Sequence, residues 1–258
     1  IVIYNNIINQ YRSKTLGSFN SYNFNTGLII FFIGFFKKIY FADTLGALVD
    51  NNMGNIEILT TFDAWLTSIS YSFQFYFDFT AYVDMATGSA LMLNIILPQN
   101  FNSPFKASNL INFWQRWHMT LTSFLTNYFY TPWLMSLNKL NFFKSMVLLF
   151  IVFFIAGLWH GPSYNYIIFG SLHGVGLIAN HLLRRFSKFK INHFISIIIT
   201  FNYVNFTFIF FRNKNFFDSI TLIKKMFSFE KNFYNIENYT SEFLITFVLS
   251  FILIFCFS

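Results

Sequence analysis

What most limits the folds open to this chain is where its charges are missing. Between Lys144 and Arg184 there is no Asp, Glu, Lys or Arg, and between Lys190 and Arg212 there is none either. About 20 apolar residues in helix span a bilayer core of roughly 30 Å, so the first gap holds nearly two spans and the second holds one. Composition agrees: 10% of the 258 residues are charged, 55% are hydrophobic, and the mean hydropathy is +0.49. A soluble domain covers its surface with about 25% charged residues. A soluble globular domain and a disordered chain are therefore both excluded.

The net charge of +7, from 17 Lys and Arg against 10 Asp and Glu, does not point to nucleic acid. The basic residues fall in short clusters between apolar runs, namely Lys37-Lys38, Lys139 with Lys144, Arg184-Arg185-Lys188-Lys190 and Lys224-Lys225. That is the pattern of cytoplasmic loops in a polytopic membrane protein. The single cysteine, Cys256, allows no intrachain disulfide and no thiolate cage for a metal. The opening IVIYNNIINQYRSK has no secretory-signal features and no initiator Met, so the chain reads as part of a longer protein.

Apolar runs of helical length predict spans at about 26–42, 61–77, 79–97, 145–160, 164–183, 191–211 and 242–258, with a water-facing connection over 213–240. Asp78 is expected to separate the second span from the third. Lys37-Lys38 is expected to snorkel to a membrane face. The stretch 105–130 is amphipathic and reads as an interfacial or re-entrant helix pair. If 145–160 and 164–183 form a hairpin, the basic clusters place its outer ends in the cytoplasm, and the Gly161-Pro162 turn faces away from it. The fold class is an all-α polytopic membrane protein, one membrane-embedded domain over 1–258.

Ionisable groups at membrane depth cost about 2.5–3.5 kcal/mol on insertion scales and so mark candidate sites. Three histidines stand in such settings: His160 in FIAGLWHGPSYN, His173 in FGSLHGVGL and His118 in NFWQRWHMTLTSF. His160 lies at a helix break before Gly161-Pro162, where freed backbone and a cavity are tolerated. His173, among Gly170, Gly174 and Gly176, reads equally as a buried polar residue bonded to a neighbouring helix. On a helix Trp114, Trp117 and His118 share a face at i, i+3 and i+4, with Arg116 turned toward water or an anionic group. No two histidines stand three or four apart, and no Walker loop, GxGxxG or GxSxG elbow occurs, so no metal site is expected. Asp78 and Asp84, six apart in an apolar stretch, leave open an ion-coupled transporter.

Three separated motifs carry a resemblance. FDFTAYVDMATG (77–88), LPQNFNSPFKASNLINFWQRWHMTLTSFLTNYFYTP (97–132) and GLWHGPSYNYIIFGSLHG (157–174) resemble, in order and spacing, the core of the membrane-bound O-acyltransferases. The nearest branch is that of alginate and peptidoglycan O-acetylation, and the likeness runs over at least 1–185, with several N-terminal helices of the family's fold absent from this chain. The resemblance implies transfer of an acyl group, usually acetyl, from a cytoplasmic thioester to hydroxyls of an exported cell-wall or extracellular polysaccharide. It implies a multi-pass protein of the bacterial inner membrane that works with a periplasmic acetyltransferase partner. No cofactor is expected to be bound, acetyl-CoA or another acyl thioester being the donor substrate. By the same resemblance His160 and His118 are the candidate catalytic residues, on opposite ends of the topology. Trp114, Arg116, Trp159, Asp78 and His173 are the candidate substrate-binding residues.

Overall fold

The computed structural model describes residues 3–13, 16–137, 139, 141–187, 191–213, 215–228 and 239–257. Every regular element among them is helical. Lys188 and Lys190 of the basic cluster, and 229–238 of the expected connection, lie outside the described residues.

Helix α1 (Tyr4–Tyr11) leads to α2 (Ser21–Phe36), which runs on through a π-helical turn at Lys37–Asp43 into α3 (Thr44–Gly54). Helix α4 (Thr61–Met92) has 32 residues, or roughly 48 Å at 1.5 Å per residue. Thr60 and Asp63 start it with reciprocal side-chain bonds to each other's backbone N–H. Helices α2 and α4 pack antiparallel through small residues. A Cβ on Gly27 would lie 2.5 Å from the Gly88 carbonyl, and one on Gly34 2.7 Å from that of Ala81.

Asp78 thus does not separate two spans, because 61–92 is one helix. Lys37 and Lys38 are also paired within the protein. Lys37 Nζ lies 2.6 Å from Asp84, and Lys38 Nζ lies 2.8 Å from both Asp78 and Asp43. Asp78 and Asp84 each meet an ammonium from the π-helical turn, so these charges are paired without a break in the helix. Such wide turns often mark functional places in a helix.

The stretch 105–130 is broken more finely than a helix pair, into α5 (Leu110–Trp114), α6 (Met119–Leu125) and a π-helical turn at Thr126–Tyr130, before α7 (Thr131–Met135). It packs inside protein. Phe113, Trp114 and Trp117 sit in the main core with Phe73, Phe153, Leu177 and Phe208.

Among the described residues three helices are long and apolar enough to cross a membrane: α8 (Phe142–Trp159), α9 (Tyr164–Phe186) and α10 (His193–Arg212). They match the expected runs at 145–160, 164–183 and 191–211 to within a few residues. The expected spans at 26–42 and 242–258 are met by shorter helices, α2 and α12 (Ser241–Ile252), each prolonged by a π-helical turn. The connection over 213–240 contains α11 (Phe216–Met226), whose Leu222 and Met226 are buried and whose Met226 carbonyl accepts from Trp65 Nε1 of α4 at 2.9 Å. Helix α10 is tied to α4 by Ser68 and Ser72, which both donate to Asn205 Oδ1, and to α9 by Tyr203, which donates to the Leu172 carbonyl at 2.7 Å.

Candidate active site

A cavity of about 450 Å³ opens between α4, α8 and α10. It is lined by Phe75, Asp78, Phe79 and Tyr82 of α4, Trp159 and His160 at the end of α8, Phe211 of α10, and His118. His118 and His160 therefore face one space rather than opposite ends of the topology. Aromatic rings join them. His118 meets Phe79 edge-on at 4.8 Å, His160 meets Phe211 at 4.9 Å, and Phe75 lies 4.9 Å from Phe211 and 6.3 Å from Phe79. Sequence spacing could not reveal this, since the walls come from segments as far apart as Phe75 and Phe211.

His160 is placed by the end of a helix. Its N–H still donates to the Gly157 carbonyl at 3.1 Å, but Gly161 turns to φ +150° and Pro162 has no N–H to continue the ladder. The hairpin below it closes backbone to backbone. A Cβ on Gly157 would lie 2.3 Å from the Tyr166 carbonyl, and one on Gly170 2.4 Å from that of Phe153. The ring lies among Trp159, Tyr166, Phe169 and Phe211.

His118 is held differently. Its backbone is left-handed, at φ +44°, so Trp114, Trp117 and His118 do not form the shared helical face expected of them. The chain turns between α5 and α6 instead. Two backbone bonds brace that turn against the segment before α5: Asn102 N–H to the Arg116 carbonyl and Met119 N–H to the Asn100 carbonyl, both 2.9 Å. The Asn100 side chain completes the brace. Its Oδ1 lies 3.0 Å from His118 Nδ1 and accepts from Thr120 N–H at 3.2 Å and Thr120 Oγ1 at 2.9 Å. A non-glycine residue held in this region costs of order 1–3 kcal/mol and persists where its surroundings fix it. Sequence reading missed Asn100, although it lies in the LPQNFNSP stretch.

The remaining candidates divide. Asp78 and Trp159 line the cavity, Trp159 being 60% exposed at its rim. Tyr82, unforeseen, is 65% exposed on the same rim. Trp114, Arg116 and His173 are not among the cavity walls. His173 is fully buried, with Trp114 Nε1 donating to its Nδ1 at 3.2 Å and Thr207 Oγ1 at 2.9 Å from its Nε2. Both ring nitrogens are occupied, and His173 and Trp114 are buried behind the cavity. Asp78 and Asp84 are each paired with a lysine, at 2.8 Å and 2.6 Å. Among the described residues no three His, Cys, Asp or Glu side chains converge as a metal would need.

Residues 1–221 match the sequence profile of the membrane-bound O-acyltransferase family. The chain belongs to that family. Among its relatives, a peptidoglycan O-acetyltransferase of Helicobacter pylori is 41% identical over 230 residues, covering 88% of this chain and 43% of the relative. The Pseudomonas aeruginosa protein named as a probable alginate O-acetylase is 33% identical over 229 residues, covering 89% and 43%. A teichoic acid D-alanyltransferase of Bacillus subtilis is 30% identical over 212 residues, covering 74% and 51%. The chain thus spans about half the length of these acyltransferases. All three are named for transferring an acyl group to a polymer, and the cavity with its two imidazoles falls within the matched residues.

Proposed function

We propose that this chain supplies the active site of a bacterial inner-membrane O-acyltransferase that moves acetyl from an acyl thioester, such as acetyl-CoA, toward hydroxyls of an exported cell-envelope polysaccharide. The observation that carries the reading is the pair of imidazoles, His118 and His160, on one aromatic-walled cavity. Transfer to a hydroxyl needs a base that works near neutral pH, and imidazole is the side chain suited to it. The hydroxyl oxygen attacks the thioester carbonyl carbon, the C–S bond breaks, and the ester forms. His160 takes the hydroxyl proton and returns it to the departing thiolate sulfur, so the ring ends neutral. In a variant of the same scheme His160 is itself acylated and then deacylated by the acceptor. His118 holds the reacting groups from the other side of the cavity. The walls of Phe75, Phe79 and Phe211 keep water from the thioester, whose hydrolysis would waste the donor.

Positive charge at Lys139, Lys144, Arg184 and Arg185 sets the outer ends of the α8–α9 hairpin in the cytoplasm, on the donor side. His160 at its turn then stands toward the acceptor. The family resemblance adds a separate periplasmic acetyltransferase that hands the acetyl group to the polysaccharide, and the name of the Helicobacter pylori relative makes peptidoglycan the first acceptor to test.

The test compares cells carrying the full-length protein with cells carrying its His160→Ala form, measuring acetate released from purified wall polymer by mild base. Wall acetate should fall to the level of cells lacking the protein, with the variant present in membranes at the normal amount. Unchanged acetate overturns the assignment of His160.

A further inference from the structure

We infer that Asn100 is a positioning residue that fixes the tautomer of His118, and that His118 therefore meets the reacting groups with a lone pair on Nε2. The inference rests on the acyl-transfer reading and deepens it. It begins with the identity of the amide atom facing the ring. The same Asn100 atom that lies 3.0 Å from His118 Nδ1 also receives the backbone N–H of Thr120 at 3.2 Å. A backbone N–H only donates, so that atom is the carbonyl oxygen and not the amide nitrogen. A carbonyl oxygen only accepts, so Nδ1 must carry the proton. In the neutral ring the other nitrogen, Nε2, is then an acceptor.

The consequence is chemical. A ring with Nε2 unprotonated can take a proton, or accept a hydrogen bond from a hydroxyl or from an amide N–H of the thioester arm. It cannot donate to an oxyanion unless it is first charged. That separates the acceptor role at His118 from any oxyanion-stabilising one.

Three further features support a held ring rather than an incidental contact. The Asn100 backbone carbonyl accepts from Met119 N–H at 2.9 Å, so one residue grips the His118 ring and the backbone that follows it. Asn100 itself is buried, at 8% exposure, and His118 at 9%. The left-handed backbone at His118 aims the ring into the cavity at an angle that a continuing helix would not give. The opposite arrangement at His173 shows that this fold can set a tautomer either way. There Trp114 Nε1–H, which only donates, forces Nδ1 to be the acceptor.

The test uses the full-length protein in membranes, with radiolabelled acetyl-CoA and wall polymer, and the variants Asn100→Leu and Asn100→Asp. Leucine removes the acceptor, and the ring becomes free to present either nitrogen. The expected result is a loss of about tenfold in kcat, with KM for the thioester little changed. Aspartate keeps an acceptor oxygen in place and should restore most of the rate. Its carboxylate favours imidazolium, so the acid limb of the pH–rate profile should move to higher pH. The other titratable groups on the cavity are His160, Tyr82 and Asp78 with its partner Lys38, and neither substitution touches them. Wild-type kcat in both variants overturns the inference. So does a loss in both that only tracks the amount of protein in the membrane, which is what a purely structural asparagine predicts. A wild-type protein that transfers no acetyl overturns instead the acyl-transfer reading on which the inference stands.

Discussion

His118 and His173 are both buried imidazoles with fixed hydrogen bonds, yet they differ in what is left over. His173 has a donor on one nitrogen and a threonine hydroxyl on the other, and Thr207 donates its own hydrogen bond to the Val204 carbonyl at 2.7 Å. Nothing remains for a ligand. His118 spends one nitrogen on Asn100 and lines a cavity. Burial alone, therefore, does not mark a working histidine in a membrane protein. The useful sign is a ring that is half satisfied beside a space. His160, at a helix end and ringed by aromatics, lines the same space.

This contrast can be broken experimentally, and the largest expected effect is at His160. His160→Ala should cost about 10²–10⁴-fold in acetyl transfer, the usual worth of a general base, without lowering the amount of protein in membranes. His118→Ala should come next, at about 10²-fold in the same assay. His173→Ala should behave in the opposite way. It strands Trp114 Nε1–H and removes the partner of Thr207, each costing about 1–3 kcal/mol when left unpaired, so the solubilised protein should melt earlier while each folded molecule keeps its rate. Equal losses of rate per molecule in all three variants would erase the distinction. pH sharpens it further. Only the neutral imidazole accepts a proton, so transfer should fall as pH drops through the titration of the cavity histidines, and His173→Ala should leave that limb where it is. The smallest effect is expected for Lys38→Met, because its pairs with Asp78 and Asp43 are half-exposed and screened by water. A change of less than about threefold in the transfer rate would fit that weak coupling.

Much of the fold could be read in the sequence. The charge gaps gave α8, α9 and α10 because a span must be apolar over its whole length, and length is what a gap measures. Asp78 misled for the same reason. A lone carboxylate in an apolar run reads as a break, and its lysine partner stands forty residues earlier in another helix. The connection over 213–240 hid α11, whose apolar side is covered by α4 in three dimensions only. At the site, His160 and His118 were found as rare ionisable groups in apolar surroundings, but their shared cavity was not, since Phe75, Phe79 and Phe211 set that distance. His173 drew attention for the same reason as the other two, and only its partners Trp114 and Thr207 tell it apart. Asn100 gave no signal at all. An asparagine among other asparagines in a loop becomes informative only when its oxygen is seen to collect three donors.

The left-handed backbone at position 118 also acts as a filter on inheritance. With φ at +44°, β-branched and bulky side chains are penalised there before any chemistry is considered, whereas glycine, asparagine and aspartate adopt this conformation cheaply. Random substitution at this position would thus return a narrow set of folded proteins. Among them asparagine alone combines an easy backbone with a neutral side chain that can still accept a hydrogen bond from the cavity.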